Sequence, residues 1–399
     1  MNYKTYPISD LIDEIAMGPF GSNIKVDCFV DKGIPVLNGS NLEGFELSEK
    51  SFRYVTEEKA DSLKKANAHK GDVVITHRGT LGQIVYIPQT AQRERYVISQ
   101  SQFRVKCNKK ILPEYFVYYF HTPIGQHKLL SNASQVGVPA LARPSSTFQK
   151  IEIEIPDLET QKKVVKLIGS LQTKITTNSE INDNLYEMVN AYYTSLFKDV
   201  ECEMTTIGNY AERIYSGGTP TTSNAAYWDG AFGWFSSGET RNRFVISTEK
   251  TITQAGIDNS STKLAAKHDI VMASAGQGFT RGQTSMLLID TYVNQSVIVI
   301  HTERKVLPYL FWNLANRYEE LRAISDSSSI RGSLTTKMIA AFEIPLANEE
   351  SLQAFADFSW SVIPQIENNL LENERLAALR DTLLPKLMSG EIDVSNIQL

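Results

Sequence analysis

The chain has 399 residues, of which 42% are hydrophobic and 21% are charged, and its formal net charge at pH 7 is −5. This length and composition predict a folded protein of two or three domains. The sequence has no run of 18 apolar residues and no apolar segment at its start, which argues against membrane insertion or export and favours a cytoplasmic protein. The three cysteines, Cys28, Cys107 and Cys202, lack the paired spacing of a zinc site or a redox dithiol.

The negative charge is concentrated near the end of the chain. Residues 346–399 contain nine acidic and three basic residues. Proteins that bind nucleic acids usually contain a basic domain, so the overall charge supports DNA binding only weakly. Any basic face has to be local.

The first half of the sequence reappears, diverged, in the second half. Five matches occur in the same order, and their separation falls slowly from 199 to 189 residues. The matched positions are Ile15 and Ile214, Val73 and Ile270, Gln100-Ser101 and Gln295-Ser296, Leu112-Pro113 and Leu307-Pro308, and Ile155-Pro156 and Ile344-Pro345. Such a drift is expected when two copies gain and lose loop residues independently. The pattern predicts two similar domains.

In each repeat a globular part precedes a long helical part. Runs rich in Val and Ile and bounded by Gly predict strands within residues 72–86, 96–106, 269–273 and 292–301. Residues 112–119 and 307–314 open with Leu-Pro and carry aromatic residues at helical spacing, which predicts short helices. The globular parts are therefore predicted to mix α and β structure.

The helical parts follow a heptad pattern. Residues 159–197 contain no Pro and one Gly, and seam positions recur at alternating intervals of four and three residues. The first seam comprises Val164, Ile168, Leu171, Ile175, Asn178, Asn182, Leu185, Val189, Tyr192 and Leu196, and the second comprises Phe355, Ser359, Val362, Ile366, Asn369, Asn373, Leu376, Arg380, Leu383 and Leu387. At 1.5 Å per residue the first helix would be roughly 58 Å long and needs a partner helix.

Antiparallel pairing of the two helices would place Asn178 opposite Asn373 and Asn182 opposite Asn369. A buried amide at a seam lowers stability but fixes register, because a slip leaves it unpaired in an apolar groove. These four residues are therefore predicted to set the helix register. The alternative is that they lie on a solvated edge of the helices. Pro364 predicts a kink or a late start of the second helix, near residues 360–364.

Two short runs in each repeat carry a family resemblance. The second repeat contains Gly217-Gly218-Thr219-Pro220, Tyr227-Trp228-Asp229-Gly230 and Gly233-Trp234-Phe235-Ser236, and the first contains Gly18-Pro19-Phe20-Gly21-Ser22 and Ile34-Pro35-Val36-Leu37-Asn38. These runs resemble the target-recognition domains of the specificity subunits of type I restriction-modification systems. The ending Leu384-Pro385-Lys386-Leu387-Met388-Ser389-Gly390-Glu391 is also similar to the close of that family. The second repeat departs from the family pattern at Ala225-Ala226 and Phe232-Gly233.

The resemblance implies an α+β fold class, in which two mixed α/β target-recognition domains in tandem repeat are separated by two long antiparallel coiled-coil helices. The predicted boundaries are residues 1–156 for the first target-recognition domain, 157–199 for the central spacer helix, 200–345 for the second domain and 346–399 for the C-terminal spacer helix.

The run at residues 275–282 has glycines spaced as GxGxxxG, but no helical pattern follows it, so a dinucleotide-binding loop is disfavoured. We interpret this run and its counterpart at residues 77–82 as strand-to-strand loops, in which Gly permits positive φ or close approach to a phosphate backbone. A plain turn remains an alternative.

Reading bases in a duplex requires side chains with paired donors or acceptors on loops. The candidate DNA-binding residues lie beside these turns, and each could instead contact a phosphate or face solvent. They are Asn38, Ser40, Asn41, His77, Arg78 and Arg143 in the first domain, and Ser237, Glu239, Arg241, Arg243, Gln277, Arg281 and Arg331 in the second.

The sequence shows no amino-methylation motif, phosphate-binding loop, catalytic triad or metal-ligand cluster, so no catalytic or metal residue and no cofactor is predicted for this chain. The resemblance implies a non-catalytic subunit that reads a bipartite, asymmetric target in double-stranded DNA. It further implies two methylation subunits that use S-adenosylmethionine to methylate adenine N6, and restriction subunits that use ATP and Mg. Two alternatives stay open: a recognition arm of a fused endonuclease-methyltransferase, and a coiled-coil adaptor that binds proteins rather than DNA.

Overall fold

The structure is a computed structural model that describes residues 3–19, 23–131, 133–134, 138–198, 203–276, 279–327 and 332–394. The chain divides into two compact units. The first unit comprises Met1–Lys174 and Leu376–Leu399, and the second comprises Ile175–Arg375. Each of the two long helices contributes residues to both units.

The first unit contains twelve short strands and four short helices among its described residues. The strands are β1 Lys4–Pro7, β2 Ile12–Met17, β3 Ile34–Val36, β4 Arg53–Val55, β5 Asn67–His69, β6 Asp72–Thr76, β7 Ile84–Tyr86, β8 Arg95–Val97, β9 Gln102–Cys107, β10 Ala133–Ser134, β11 Ala140–Leu141 and β12 Glu152–Ile155. The helices are α1 Glu57–Ser62, α2 Pro113–Phe120, α3 Pro123–Leu130 and α4 Pro144–Phe148, and the long helix α5 spans Leu158–Phe197.

Two four-stranded sheets form the frame of the first unit, in the orders β2-β9-β6-β7 and β4-β3-β8-β5. β6 lies antiparallel to both β9 and β7, and β3 pairs in parallel with β8. Residues of β6 are buried on both faces because alternate side chains enter two different apolar clusters. This explains why the sequence shows a continuous apolar run there rather than an alternating one.

The second unit contains eleven strands and five short helices among its described residues. The strands are β13 Met204–Thr206, β14 Ala211–Ser216, β15 Trp228–Phe235, β16 Phe244–Val245, β17 Lys250–Ile252, β18 Lys263–Ala265, β19 Ile270–Ala273, β20 Thr284–Leu287, β21 Thr291–Val293, β22 Val297–Thr302 and β23 Glu343–Pro345. The helices are α6 Ile207–Tyr210, α7 Gln254–Asp258, α8 Leu307–Asn316, α9 Tyr318–Ser327 and α10 Thr336–Ala340, and the long helix α11 spans Glu349–Met388.

The second unit repeats the sheet topology of the first. Its sheets run β14-β22-β19-β20-β16 and β17-β15-β21-β18. β15 pairs in parallel with β21, as β3 does with β8, and the β13–β23 pair corresponds to β1–β12. The repeat predicted from the sequence is therefore a repeat of strand order and direction. The parallel β16–β20 pair of the second unit corresponds to a single parallel bridge between Glu46 and Tyr86 in the first. The predicted mixture of α and β structure is confirmed.

The heptad seam predicted for α5 and α11 is buried or half-buried at every one of its positions. In the first unit, Val164 and Ile168 of α5 share an apolar core with Leu384 and Leu387 of α11. All four are at most 3% exposed. Burial of side chains of this size stabilises the pairing by about 1.5–3 kcal/mol each.

The four seam asparagines lie in the second unit and bond to each other across the helix pair. Asn178 Nδ2 donates to Asn373 Oδ1 at 2.9 Å, and Asn369 Nδ2 donates to Asn182 Oδ1 at 2.8 Å. Asn178, Asn182 and Asn369 are at most 9% exposed, so the solvated-edge alternative is wrong. The two amide pairs expected from the antiparallel arrangement are present. Their role in fixing register stays a prediction.

Helix α11 begins at Glu349 and is continuous through Pro364. Of the two alternatives predicted near residues 360–364, the late start is therefore wrong, and the kink stays a prediction. Pro364 is exposed, so its ring faces solvent while the neighbouring Val362 and Ile363 are buried. Burial of these apolar neighbours offsets the main-chain hydrogen bond that proline cannot donate.

Candidate functional site

In the first unit the β6–β7 loop (residues 77–83) packs against two other segments. The His77 backbone N–H donates to Ser101 O at 2.8 Å, and its ring Nε2 lies 3.1 Å from Gln100 O. Burial lowers the pKa of His77, which favours the neutral ring. The backbone of the loop also bonds to residues 139–141, through Leu141 N–H to His77 O at 2.9 Å. Hydrogen bonds to residues 100–101 and to residues 139–141 thus hold the loop in place.

Arg78 and Arg143 are both exposed. Arg78 makes a backbone bridge with Ala140, three residues before Arg143. Arg143 adopts a left-handed conformation, with φ of 47°, just before α4. The structure therefore brings these two cations onto adjacent backbone segments beside the β6–β7 loop.

The β3 turn is a single 3-10 turn, Gly39–Leu42, that follows β3. Asn38 caps it, since its Oδ1 accepts from Ser40 N–H at 2.9 Å and from Ser40 Oγ–H at 2.5 Å. Gln83, at the end of the β6–β7 loop, donates to Gly39 O at 3.0 Å. Asn38, Ser40, His77, Arg78 and Arg143 thus belong to one connected group of loops.

Asn41 is 0% exposed and holds the β3 turn in shape. Its Oδ1 accepts from Asn38 N–H at 2.9 Å, and its Nδ2 donates to Ser48 O at 2.9 Å and Lys50 O at 2.7 Å. These bonds use the polar atoms of the side chain inside the loop. No local feature of the sequence distinguishes the buried Asn41 from its exposed neighbour Ser40.

The β15 turn, Ser237–Arg241, is the counterpart of the β3 turn in the second unit. Glu239 occupies the place of Asn41 and is 3% exposed. Its Oε1 accepts from Ser236 N–H at 2.8 Å, and its Oε2 accepts from Glu249 N–H at 2.9 Å. The two repeats therefore share a reciprocal capping box that is built from an amide in one and from a carboxylate in the other.

Among the described candidate residues of the second unit, Arg241 and Arg243 are exposed and Ser237 is half-buried. Arg241 pairs with Glu249 and donates to Gly238 O at 2.8 Å. Arg243 lies over the ring of Tyr186, 4.2 Å from its centroid, and 3.5 Å from the Asp183 carboxylate.

Arg241 and Arg243 line a cleft of about 830 Å³ within the second unit. Helix α5 supplies its polar wall, which includes Asn182, Tyr186 and Asn190. The polar lining residues that were not singled out in the sequence include Asn190, Asn316 and Gln283. No local pattern marks them, because they come from separate elements that meet only in the fold.

The β19–β20 loop (residues 274–283) joins two antiparallel strands, as the β6–β7 loop does, so the strand-to-strand prediction is confirmed for both. Gly276 and Gly282 have φ of 140° and 87°, a region that favours glycine. Arg281 is 8% exposed, pairs with Asp326 and donates to Gly332 O at 2.6 Å. Gln277 and Arg331 lie outside the described residues.

Close backbone approach explains one glycine of the resemblance in each unit. A Cβ atom on Gly18 would lie 1.9 Å from Ser99 O, and one on Gly217 would lie 1.9 Å from Val293 O. No side chain fits at these distances. Both glycines follow the edge strands β2 and β14, so they let the chain turn against the neighbouring loop.

Within the described ranges, no group of three or more His, Cys, Asp or Glu side chains could hold a metal ion. Even the two 40-residue helices, as far as the structure describes the chain, lack an apolar stretch that could cross a membrane. Cys28 and Cys107 are unpaired thiols, and burial raises the pKa of Cys107. Cys202 lies outside the described residues.

The chain is similar to known proteins in sequence and in structure. The profile of the type I restriction modification DNA specificity domain matches residues 3–187 and again residues 200–374. The type I restriction enzyme EcoR124I/EcoR124II specificity subunit of Escherichia coli is 26% identical over 63% of this chain and 63% of its own length. The HindI specificity subunit of Haemophilus influenzae is 21% identical over 81% of this chain and 87% of its own length.

The crystal structure of a type I restriction-modification system S subunit from M. genitalium has a similar fold. It superimposes with a TM-score of 0.59 and 14% identity, covering 97% of this chain and 96% of that one. At this identity the likeness concerns the fold.

Proposed function

Because the chain belongs to the type I restriction-modification DNA specificity family, we propose that it is a specificity subunit that reads a bipartite, asymmetric target in double-stranded DNA. It supplies sequence recognition and leaves catalysis to partner subunits. The family match and the names of the relatives support a specificity subunit over a protein-binding adaptor.

One observation carries the bipartite target: the same loop frame occurs twice with different side chains. Both units present a capped 3-10 turn, and both contain a strand-to-strand loop closed by a glutamine, Gln83 or Gln283. The β6–β7 loop has seven residues between its strands and the β19–β20 loop has ten. Two domains that share this arrangement of loops but carry different side chains on them are suited to two half-sites of different sequence.

We assign DNA contact to the exposed members of the candidate set. Arg78, Arg143, Arg241 and Arg243 supply charge for phosphates or guanine edges, and Ser40 supplies a hydroxyl. Asn38, His77 and Ser237 lie beside them, partly engaged in loop contacts. The buried members, Asn41, Glu239 and Arg281, shape the loops that carry the others. Gln277 and Arg331 stay predictions from the sequence.

The partners follow from the same proposal. Two methylation subunits would bind the chain and use S-adenosylmethionine to methylate adenine N6 in the target. Restriction subunits that use ATP and Mg would join them where the host encodes them. The cluster of acidic residues in 346–399 suits a docking surface for protein partners better than a DNA-binding face.

The test is single-molecule sequencing of N6-methyladenine in DNA from cells that express this chain with the methyltransferase encoded next to it. The control expresses the methyltransferase alone. We expect a two-part motif that depends on the chain. If no motif appears that depends on the chain, and the chain instead co-purifies with other proteins, the adaptor alternative is favoured.

The helix pair is proposed to set the number of unspecified base pairs between the half-sites. Inserting one heptad in α5 near Thr176, with a matching heptad in α11 to keep the asparagine pairs aligned, adds about 10 Å of helix. We expect the spacer of the methylated motif to lengthen by about 3 base pairs while both half-sites stay the same, as read by the same sequencing. A changed half-site would show that the helices also take part in base recognition.

A further inference from the structure

The side chain of Phe279 stands out on the β19–β20 loop because it is 85% exposed. Large apolar side chains are mostly buried in folded proteins, since exposure of a phenyl ring to water is unfavourable. The ring belongs to the same loop frame that carries the candidate DNA contacts of the second unit. The β6–β7 loop of the first unit contains no aromatic side chain other than His77.

Contacts with α9 and the segment after it hold the backbone at Phe279 and at Arg281, two residues later. The Tyr318 hydroxyl donates to Phe279 O at 2.6 Å. Two residues further on, the buried Arg281 pairs with Asp326 of α9 and donates to Gly332 O at 2.6 Å. These contacts fix the backbone that carries the exposed ring before any ligand binds, which lowers the entropy lost on binding.

A phenyl ring cannot read a base by hydrogen bonding, because it has neither donor nor acceptor. The apolar group that base pairs display in the major groove is the 5-methyl group of thymine. An exposed phenyl group on a DNA-reading loop therefore matches thymine and discriminates against cytosine, which lacks that methyl group.

We propose that Phe279 is a specificity-determining residue that contacts the 5-methyl group of one thymine in the half-site read by the second unit. This inference rests on the proposed function and adds a residue and a base to it. The first half-site is read without such a contact, because the β6–β7 loop is three residues shorter and has no exposed phenyl group.

The test uses the full chain in complex with its methylation partner and a duplex that carries the motif found by sequencing. Each thymine of the motif is replaced, one at a time, by deoxyuridine, which removes only the methyl group. We expect wild-type affinity to fall about three- to fivefold at one position, the value of one buried methyl group. The Phe279→Ala variant binds the thymine and deoxyuridine duplexes equally at that position.

Two variants separate contact from folding. Phe279→Leu keeps an apolar side chain and retains part of the discrimination. Leu264→Ala removes another exposed apolar side chain of the second unit, 53% exposed on β18, and keeps the full wild-type discrimination. The tryptophan fluorescence spectrum reports whether the second unit of each variant is folded, because Trp228, Trp234, Trp312 and Trp360 all belong to that unit.

Specific wild-type binding without any sensitivity to deoxyuridine, or a half-site that contains no thymine, overturns the thymine contact but leaves the specificity function standing. Equal sensitivity in wild type and Phe279→Ala assigns the methyl contact to another residue and also overturns the proposal. A duplex that carries 2-aminopurine in the motif tests for base unstacking. If its fluorescence rises on binding of wild type but not of Phe279→Ala, and deoxyuridine does not change the affinity, the ring enters the base stack and the thymine contact is overturned. Absence of any sequence-specific binding refutes the proposed function itself.

Discussion

The buried amide pair Asn182–Asn369 offers a quantitative test of the helix pairing. Asn182 Oδ1 accepts the 2.8 Å bond from Asn369, and its Nδ2 donates to Ile366 O at 3.3 Å. Asn369 Oδ1 in turn accepts from Gln365 at 2.9 Å. The two side chains are 9% and 6% exposed, so an amide left alone there cannot recover its bond from bulk water.

Replacing one asparagine by leucine should lower the free energy of unfolding by about 1–3 kcal/mol, because the other amide stays buried without its partner. The double variant Asn182→Leu with Asn369→Leu removes both polar groups and should lie within about 1 kcal/mol of wild type. The coupling energy of the pair should thus exceed about 1 kcal/mol. With a urea dependence of roughly 2 kcal/mol per molar, a single substitution shifts the unfolding midpoint by about 0.5–1.5 M.

Tryptophan fluorescence is a selective probe for this experiment because all four tryptophans belong to the second unit. Trp312 stacks on Tyr186 of α5 with ring centroids 5.7 Å apart, so it senses loss of the helix. The matched control is Asn184→Leu, on the exposed side of α5. If the double variant is destabilised by the sum of the two single effects, the amides contribute independently and the pairing argument is wrong.

Three further predictions concern single residues. Arg78→Ala should make the fall of log affinity with log salt concentration shallower by about 0.9, measured by binding titrations at several salt concentrations, if Arg78 contacts a phosphate. Asn41→Ala should raise hydrogen exchange of residues 34–55 through a loss of about 1–3 kcal/mol, whereas Ser40→Ala should change stability by less than about 0.5 kcal/mol and weaken DNA binding. Burial, with Lys267 and Arg304 nearby, lowers the pKa of His268 in the folded state. The unfolded chain therefore binds more protons, and stability should fall as pH drops through about 6.5. Tryptophan fluorescence in urea at several pH values measures this fall, since the ring centroids of His268 and Trp360 are 4.8 Å apart.

Each of these has a matched control and a contrary outcome. Lys166→Ala removes an exposed cation from α5 and should leave the salt dependence of the affinity unchanged. If Arg78→Ala and Lys166→Ala change this salt dependence equally, Arg78 does not contact the DNA. Unchanged exchange in Asn41→Ala would show that the capping box does not hold the β3 turn. His268→Asn tolerates the φ of 77° at this position and should remove its part of the pH dependence, and an identical pH profile in the variant would contradict the assignment.

The long helices were predictable because their periodicity is local and repeated. The seam from Val164 to Leu196 is free of exposed positions, and the amide pairs follow from the antiparallel arrangement alone. The second apolar face of α5 was missed. Tyr186, Tyr193 and Phe197 pack into the core of the second unit, and a seam analysis tests only one face of a helix.

The sequence predicts that the candidate contact residues lie on loops, but it does not show which of their side chains are exposed and which are buried. Arg281 is buried because Asp326, 45 positions further along the chain, approaches it in the fold, and no local pattern signals such a partner. Asn41 and Glu239 lie in capping boxes whose 3-10 turns follow strands, whereas capping signals are usually sought at the start of longer helices. A polar side chain next to a turn can thus either face solvent or hold the turn by hydrogen bonds, and the backbone conformation determines which.

The division of the chain into units has a consequence for synthesis on the ribosome. The second unit is a continuous segment, Ile175–Arg375, but the first unit needs Leu376–Leu399 to be complete. Within it, the Tyr3 hydroxyl donates to Leu387 O at 3.0 Å, which joins two residues that are 384 positions apart in the chain. Since domains fold as units during translation, the second unit is translated in full before the first unit is complete. The first unit begins to emerge earlier, but its core stays open until Leu384 and Leu387 have been translated.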